Sequence, residues 1–310
     1  MIGNFFKYPF VIFFSLNLSI CLSQENDIKL IKDRIYQVLI SNDSNLSFPY
    51  TFTTDEELDK ILNEFDGEKW PYIEYDDISR ENFDNRIHTR NLVILASSYK
   101  NMNSKYFNNS KVKRTIISAL KFWCDNDFIG ENWWNNQIGT PNDLVHLMLI
   151  IGDELPKHLI SISQKIISRA NIYSGGSRPG GDRIKVCSIA AKNQLFLNDF
   201  NQFNHIMKII ESEIKFVNWI GRDFGYTFTN SNSGGLGSFK NANGRGLQYG
   251  NSFHHRTDGV NNTLSYGYGY AKAFIEWAHY NRGTKFSFSY DKIKMLIDYF
   301  LDGIVKTSVF

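Results

Sequence analysis

Residues 28–39 have the sequence IKLIKDRIYQVL, in which apolar side chains recur at steps of three and four residues. This spacing places the apolar side chains on one face of an α-helix, which turns once about every 3.6 residues. The apolar positions are Ile28, Ile31, Ile35, Val38 and Leu39. The stretch predicts an amphipathic helix packed against a core.

The same spacing predicts helices along most of the chain. They cover residues 53–65, 90–99, 112–124, 141–151, 159–170, 184–197, 203–219, 264–279 and 290–305. Runs of β-branched residues are short, and no two alternating segments flank an Asn-Gly turn, so no β-hairpin is predicted. We predict an all-α fold in which antiparallel helical hairpins curl into a ring or an open toroid.

The N-terminal residues predict secretion. Residues 1–23 contain one cation, Lys7, followed by an apolar run that is shorter than a membrane-spanning helix. Cys21 and Ser23 are small residues at the −3 and −1 positions of a cleavage site before Gln24. We predict a signal peptide over residues 1–23 and a single domain over residues 24–310. A retained anchor and lipid attachment at Cys21 are the alternatives.

Charge and composition limit the partners. Loss of Lys7 lowers the formal net charge of +2 by one, which leaves no basic surface of the kind that binds nucleic acid or membranes. Aromatic residues make up 15% of the chain, and those not needed for packing can stack on sugars. We expect a secreted monomer whose partner is not a nucleic acid and that leaves the membrane after signal cleavage.

Two cysteines, Cys124 and Cys187, remain after residue 23. Their number is too low for a disulfide scaffold, and they have neither zinc-ligand spacing nor a CxxC pair. One disulfide between them is an open possibility.

Two glycine-rich segments interrupt the helical pattern. They are residues 174–183, SGGSRPGGDR, and residues 230–251, NSNSGGLGSFKNANGRGLQYGN. Loops of this length in a compact domain are usually functional or disordered. Neither has the spacing of a phosphate-binding loop, so a nucleotide site is not favoured.

Residues 251–270, NSFHHRTDGVNNTLSYGYGY, hold the densest group of reactive side chains. Two histidines, an arginine, an aspartate, three asparagines and three tyrosines fall within this segment. Tyr266, Tyr268 and Tyr270 cannot all lie on one face of a helix. The segment therefore predicts an active site, with packing of the rings as the structural alternative.

Residues 131–141, ENWWNNQIGTP, place Trp133 and Trp134 in an amide-rich segment that is predicted as a loop. Thr140 is the predicted N-cap of a helix that begins at Pro141. Two adjacent side chains on a turn cannot both face the same core, so we expect at least one indole to contact a ligand.

The motifs NWWNNQIGTP and GLQYGNSFHHR…LSYG, between Gly246 and Gly267, resemble those of polysaccharide lyase family 8. This family includes chondroitin AC, hyaluronate and xanthan lyases. The resemblance extends over most of the chain after the signal segment. It implies an incomplete α/α toroid with a cleft for an acidic polysaccharide and no cofactor. It also implies β-sandwich domains after the toroid, which we expect to be absent or to lie beyond Phe310.

The resemblance also implies roles for individual residues. The catalytic histidine of the family corresponds to His255, with His254 as the alternative, and the catalytic tyrosine corresponds to Tyr266. Residues implied to bind substrate are Asn132, Trp133, Trp134, His254 and Arg183. The family's catalytic asparagine is expected within residues 174–183, where this chain has none. Its possible replacements are Arg178, Asp182, Arg183 and Asn193.

The implied reaction is β-elimination at a uronic acid, as in the degradation of glycosaminoglycans. The proton at C5 lies next to a carboxylate and is weakly acidic, so the enzyme must neutralise that carboxylate. Arg256 is a candidate for this neutralisation. Tyr266 can take the C5 proton and return it to the leaving oxygen O4. His255 would orient the phenol or take the C5 proton itself, depending on the stereochemistry of the uronic acid.

Other functions remain open from the sequence. His254, His255 and Asp258 could form part of a metal site, but no HExxH spacing or third ligand accompanies them. Asp182 and Asp258 could serve a glycoside hydrolase, although nothing in their spacing favours this. A truncated, non-catalytic carbohydrate-binding domain is the main alternative to a lyase.

Overall fold

The computed structural model of the protein describes residues 25–41, 53–217, 245–255 and 260–308, most of them helical. The predicted signal segment lies outside these ranges. Helix α1 covers residues 25–40, and the later helices are α2 (Asp55–Asn63), α3 (Asn85–Lys100), α4 (Ser110–Asn126), α5 (Thr140–Ile151), α6 (Lys157–Ile167), α7 (Gly181–Leu197), α8 (Phe200–Ser212), α9 (Tyr266–Asn281), α10 (Tyr290–Asp298) and α11 (Lys306–Ser308). The all-α prediction is confirmed.

The helices pair into two layers. In the central layer, α3 contacts α5, α5 contacts α7, and α7 contacts α9. Each of these helices also packs on the helix that follows it, so α4, α6, α8 and α10 form an outer layer. Consecutive helices therefore make hairpins that lie side by side, which is the arrangement of an α/α toroid.

The sequences of the two layers differ because their surroundings differ. Only one face of the outer helix α6 is buried, formed by Leu159, Ser163, Ile166 and Ile167. Nearly every residue of the central helix α5 is buried, including the polar residues Asp143 and His146. A helix that is covered on several sides must pair its polar side chains internally, because unpaired buried polar groups are costly.

Several helix boundaries differ from the sequence prediction. The helix predicted from Pro141 begins at Trp133 and includes a π-helical turn, Asn135–Gly139, so Thr140 is a helical residue and not an N-cap. The helix predicted to reach residue 219 ends at Ser212. The last predicted helix is α-helical to Asp298 and continues as a π-helical turn, Tyr299–Val305, into α11.

A short β-hairpin is present, and the prediction that there is none was wrong. Strand β1 (Gly246–Leu247) pairs antiparallel with β2 (Phe253–His254). Leu247 and Phe253 are fully buried opposite one another, which fixes the register. Strands of two residues are too short to show alternation in the sequence.

Cys124 and Cys187 are buried free thiols, so the possible disulfide does not form. The Sγ atom of Cys124 lies 3.7 Å from the Oγ atom of Ser163. Within the described ranges, no helix has the length and apolar character needed to cross a membrane.

Candidate active site

The N-terminal ends of α7 and α9 meet the β-hairpin. A methyl group placed on Gly181, the first residue of α7, would lie 3.8 Å from the carbonyl oxygen of Tyr266 and 3.9 Å from the ring of Phe253. The first turns of two central helices therefore approach each other next to β2. We call this region the catalytic corner, defined by Asp182, Arg245, His255 and Tyr266.

His255 and Tyr266 form a stacked pair in the catalytic corner. Their ring centroids are 3.6 Å apart and the ring planes differ by 1°. The backbone N–H of His255 donates to Oδ1 of Asn262 at 3.2 Å, which fixes the chain just after β2. The imidazole is 9% exposed while the phenol is 44% exposed, so the pair presents the tyrosine to solvent.

The glycine after Tyr266 is required by close packing. A methyl group on Gly267 would lie 2.1 Å from the hydroxyl oxygen of Tyr299 and 2.8 Å from Cβ of Phe253. Any larger residue would push the first turn of α9 away from β2. The glycine of the SYG motif therefore brings Tyr266 to His255.

Asp182 is the carboxylate of the catalytic corner. It is the second residue of α7 and is 3% exposed. Its Oδ2 atom lies 3.5 Å from a terminal nitrogen of Arg245 and 4.0 Å from Nε2 of His255. Among the described residues, no donor makes a hydrogen bond to this oxygen.

Burial decides the proton affinity of Asp182. The loss of hydration raises the pKa of its carboxyl group, and the positive charges of Arg245, Lys185 and Arg178 oppose this rise. The N-terminus of α7 also favours negative charge in its first turn. The catalytic corner therefore combines a buried carboxyl group with several cations.

The two adjacent histidines have different surroundings. His254 belongs to β2, where it pairs with Gly246, and its backbone also bridges to Asn261. His255 is the histidine that stacks on Tyr266. The stacking therefore favours His255 over His254 as the partner of the tyrosine.

Trp133 and Trp134 are both half-buried, and each lies against a cation. The guanidinium of Arg178 is 5.0 Å from the ring centre of Trp133. Arg86 lies 5.1 Å and Lys185 lies 6.0 Å from the ring of Trp134. A cavity of about 170 Å³ adjoins Trp134, and its lining includes Lys185 and Glu276. Neither indole is fully buried in the core, so part of each ring can contact a ligand.

Asn132 caps the helix that carries these tryptophans. Its Oδ1 atom accepts the backbone N–H of Trp134 at 3.1 Å, and its carbonyl oxygen accepts that of Asn135 at 3.0 Å. Its Nδ2 group donates to the carbonyl of Arg80 at 3.2 Å. These contacts give Asn132 a structural role at the start of the helix, and this role requires no ligand.

Arg183 is directed into the protein. Its guanidinium makes an ion pair with Glu213 at 3.0 Å and donates to the carbonyl of Ser177 at 3.2 and 3.3 Å. Glu213 also accepts the backbone N–H of Gly180 at 3.1 Å. These bonds hold the loop before α7 against the end of α8, and none of them supports the predicted contact of Arg183 with substrate.

The family of the chain follows from its sequence match. The sequence model described as polysaccharide lyase family 8, N terminal alpha-helical domain, matches residues 37–219, more than half of the chain. The chain belongs to polysaccharide lyase family 8.

One relative of this family 8 chain is a chondroitinase. Chondroitinase-AC of Pedobacter heparinus is 22% identical over 255 residues, which cover 81% of this chain and 33% of that protein. The chain therefore spans about a third of the length of this curated relative.

Solved structures confirm the toroid fold. A chondroitinase AC lyase studied as enzyme–oligosaccharide complexes superposes with a TM-score of 0.73 at 21% identity, covering 90% of this chain and 37% of the other. The Streptomyces coelicolor A3 chondroitin AC lyase in complex with chondroitin sulphate gives 0.66 at 13% identity, covering 89% and 36%. A Paenibacillus xanthan lyase gives 0.64 at 16% identity, covering 90% and 25%.

Other predicted residues of this family 8 chain lie elsewhere. Arg256 and Asp258 fall outside the described residues. Asn193 lies eleven residues after Asp182 on α7, roughly 16 Å along the helix axis, so it does not belong to the catalytic corner. No group of three His, Cys, Asp or Glu side chains able to hold a metal is found in the described parts of the chain.

Sequence reasoning missed Arg245, which follows the glycine-rich segment and lies beside Asp182. The string NGRGL gave no periodicity that could assign this arginine to the site. Lys185 was also missed. It lies three residues after Asp182, a spacing that puts both side chains on one face of a helix, and this signal was present in the sequence.

Proposed function

We propose that this family 8 chain is the catalytic domain of a secreted lyase that cleaves a uronic-acid-containing polysaccharide, such as chondroitin or hyaluronan, by β-elimination. The observation that carries the proposal is the stacked pair of His255 and Tyr266 beside Asp182 and Arg245. The names of the relatives, chondroitinase AC and xanthan lyase, support an acidic polysaccharide as substrate.

The reaction needs a base at C5 and an acid at O4 of the cleaved bond. In the proposed mechanism, the phenolate of Tyr266 takes the proton from C5. The electron pair of the C5–H bond forms the C4–C5 double bond, and the C4–O4 bond breaks. Tyr266 then returns the proton to O4, so one residue serves as base and acid in turn.

His255 is proposed to position the phenol. Its ring covers one face of the Tyr266 ring, which limits the rotation of the tyrosine side chain. For a uronic acid whose C5 proton faces the imidazole, His255 would take that proton itself. This mechanism requires no metal ion.

Trp133 and Trp134, which we call the aromatic wall, are proposed to bind the polymer chain. An indole ring can lie against the apolar face of a sugar, while the cations next to Trp133 and Trp134 can attract its acidic groups. Arg178 and Lys185 lie close enough to both the wall and Asp182 to serve this purpose.

Tyr266→Phe tests the proposal. The wild-type chain should produce new ultraviolet absorbance from unsaturated uronic ends on at least one of chondroitin, hyaluronan, xanthan or alginate. Tyr266→Phe should lose about 10²- to 10⁴-fold in rate and bind the polymer as before, because only the transferred proton is lost. Tyr290→Phe, an exposed tyrosine on α10, is the matched control.

Binding without any unsaturated product, in the wild type as well as in Tyr266→Phe, would contradict the lyase. That result would support the second candidate, a non-catalytic carbohydrate-binding domain. In that case Trp133→Ala should abolish the binding.

Secretion as a monomer forms part of the proposal and rests on residues 1–23. Protein recovered from the medium of an expressing culture should begin at Gln24 and elute at the size of one chain. Cell-associated protein that begins at Met1, or that carries lipid on Cys21, would contradict it.

A further inference from the structure

We propose that Asp182, held as a neutral carboxyl group, donates a hydrogen bond to the uronate carboxylate of the substrate. The inference rests on the proposed function and deepens it, since it names the group that neutralises the substrate carboxylate. Asp182 keeps its proton throughout the reaction, so no additional proton transfer is required.

Position supports this role for Asp182. The side chain is 3% exposed, and its Oδ2 atom lies 4.0 Å from Nε2 of His255, the ring that stacks on Tyr266. No donor within the described ranges makes a hydrogen bond to Oδ2. A buried carboxyl oxygen without a hydrogen bond is unusual in a native protein, and the ion pair with Arg245 at 3.5 Å leaves this oxygen able to bond to a ligand.

The loop before α7 sets this position. Gly180 has φ +84°, a backbone conformation that suits glycine, and it lets the chain turn sharply into the helix. Its N–H donates to Glu213. Asp182 is thereby placed in the first turn of a 17-residue helix, where the backbone N–H groups also favour an anionic ligand.

The groups around Asp182 set its charge. Those that face it are Lys185 of α7, Arg178 of the preceding loop, Arg245 before β1, and His255 after β2, whose ring stacks on Tyr266 of α9. Burial raises the pKa of the carboxyl group against these cations. A second carboxylate brought close would raise it further, because two like charges in a buried site share one proton.

This proton has a use in catalysis. When C5 loses its proton, negative charge moves onto the oxygens of the substrate carboxylate. A hydrogen bond from Asp182 and the charge of Arg245 would both stabilise that developing charge. An ionised Asp182 would instead repel it. The alternative role is an ionised Asp182 that orients His255, as in an Asp–His pair.

Asp182→Asn separates the two roles, because an amide is always a neutral donor and never an anion. Binding of a hyaluronan oligosaccharide is measured from pH 5 to pH 9 for the wild type, Asp182→Asn and Asp182→Ala. Asp125→Asn, which removes a surface carboxylate of α4, is the matched control. The same oligosaccharide with its carboxyl groups reduced to alcohols serves as the neutral ligand.

The proposal predicts that the ratio of the wild-type Kd to the Asp182→Asn Kd rises with pH for the acidic ligand. The rise approaches about tenfold per pH unit above the pKa of Asp182. For the reduced ligand the ratio should stay constant. Asp125→Asn should follow the wild type, and Asp182→Ala should bind weakly at every pH.

A pH-independent ratio for the acidic ligand, or binding by Asp182→Asn as weak as by Asp182→Ala, overturns the proposal even if the wild type makes unsaturated ends. The predicted ratio without turnover by the wild type supports Asp182 and contradicts the lyase. A wild type that binds no acidic oligosaccharide contradicts both. If Asp182→Asn does not fold, infrared spectroscopy replaces it. The proposal then predicts the carbonyl band of a protonated buried carboxyl group in the wild type at pH 7 and its loss in Asp182→Ala, and a wild type without this band overturns the proposal.

Discussion

Two buried arginine–aspartate pairs lie near the N-terminal ends of neighbouring central helices, and they differ in how completely they are bonded. Asp143 of α5 accepts bonds from Arg86 at 3.2 and 3.3 Å and from the Thr89 hydroxyl at 2.8 Å. Asp182 of α7 has Arg245 only at 3.5 Å and an Oδ2 atom that no described donor bonds. A fully bonded pair holds helices together, while an incompletely bonded pair can accept a ligand.

The same difference governs the charge of the two carboxyl groups. Burial raises the pKa of both, but the Arg86 guanidinium and the Thr89 hydroxyl favour the ionised form of Asp143 directly. Asp182 has only attraction from cations at longer range. We therefore expect Asp143 to act as half of an ion pair and Asp182 to act as a neutral donor.

The largest expected effect is on stability. Asp143→Ala should lower the free energy of unfolding by about 3 to 5 kcal/mol, because Arg86 would be left charged and buried without its partner. Asp182→Ala should lower the free energy of unfolding by less than about half as much. A neutral Asp182 does not balance the charge of Arg245, so its removal leaves that charge unchanged. Urea unfolding of both variants measures the difference. Equal losses of stability would contradict the claim that Asp143 is the more completely bonded of the two carboxyl groups.

Arg183 and Arg245 should differ in the same way. Arg183→Met should lower the free energy of unfolding by about 2 to 4 kcal/mol, since it leaves the buried carboxylate of Glu213 with only Lys215, at 3.8 Å, as an ion-pair partner. Arg245→Met should change stability little and weaken oligosaccharide binding at least tenfold. Urea unfolding and titration calorimetry measure the two effects for both variants. An Arg183→Met variant that is stable but binds the oligosaccharide more weakly would show that Arg183 contacts the substrate.

Acid should lower the stability of the scaffold without weakening the binding of an acidic ligand in the catalytic corner. His88 is buried between α3 and α4, and burial lowers its pKa to about 4. The unfolded chain, with a histidine pKa of about 6.5, binds the proton first as the pH falls. The stability contributed by neutral His88 is therefore present above pH 6.5 and is lost towards pH 4, by at most about 1.4 kcal/mol per pH unit. Over the same range Asp182 keeps its proton under our proposal, so binding of the acidic ligand should not weaken.

Urea midpoints at pH 7, 6 and 5 measure the loss, and His88→Gln should reduce its slope. His158→Gln, on the exposed side of α6, should leave the slope unchanged. A wild type equally stable at pH 7 and pH 5 would contradict the assignment to His88.

The smallest expected effect concerns Lys185, which is half-exposed and faces both Asp182 and Trp134. Lys185→Gln should weaken binding of an acidic oligosaccharide by about twofold to fivefold, in keeping with an exposed charge pair worth about 0.5 to 1 kcal/mol. Stability should not change. Lys121→Gln on α4 is the control, and equal effects of the two variants would contradict a contact between Lys185 and the ligand.

The helices and the site differ in how well the sequence predicts them. The spacing of apolar residues located every long helix in the described parts of the chain, because burial of one face repeats over many turns. It failed at the π-helical turn Asn135–Gly139, since one inserted residue shifts the face of the helix without changing its composition. It also failed at the two-residue strands of the hairpin.

His255 and Tyr266 were recognised from a local motif, and the structure brings their rings together. The pairing of Asp182 with Arg245 could not be predicted, because it joins residues 63 positions apart through packing of the hairpin against α7. The structure also shows Asn132 and Arg183 in bonds within the protein, a helix cap and an ion pair with Glu213, and nothing in the sequence indicated either bond.

The mass of the newly formed chain ends tests the central claim most directly. Digests of unsulfated chondroitin and hyaluronan by the wild-type chain should contain oligosaccharides one water molecule lighter than hydrolysis products. In the same time, Tyr266→Phe should release about 10²- to 10⁴-fold less of them. Products of the full hydrated mass would contradict β-elimination and identify a hydrolase. An intact polymer that remains bound to the wild type would contradict catalysis by His255 and Tyr266.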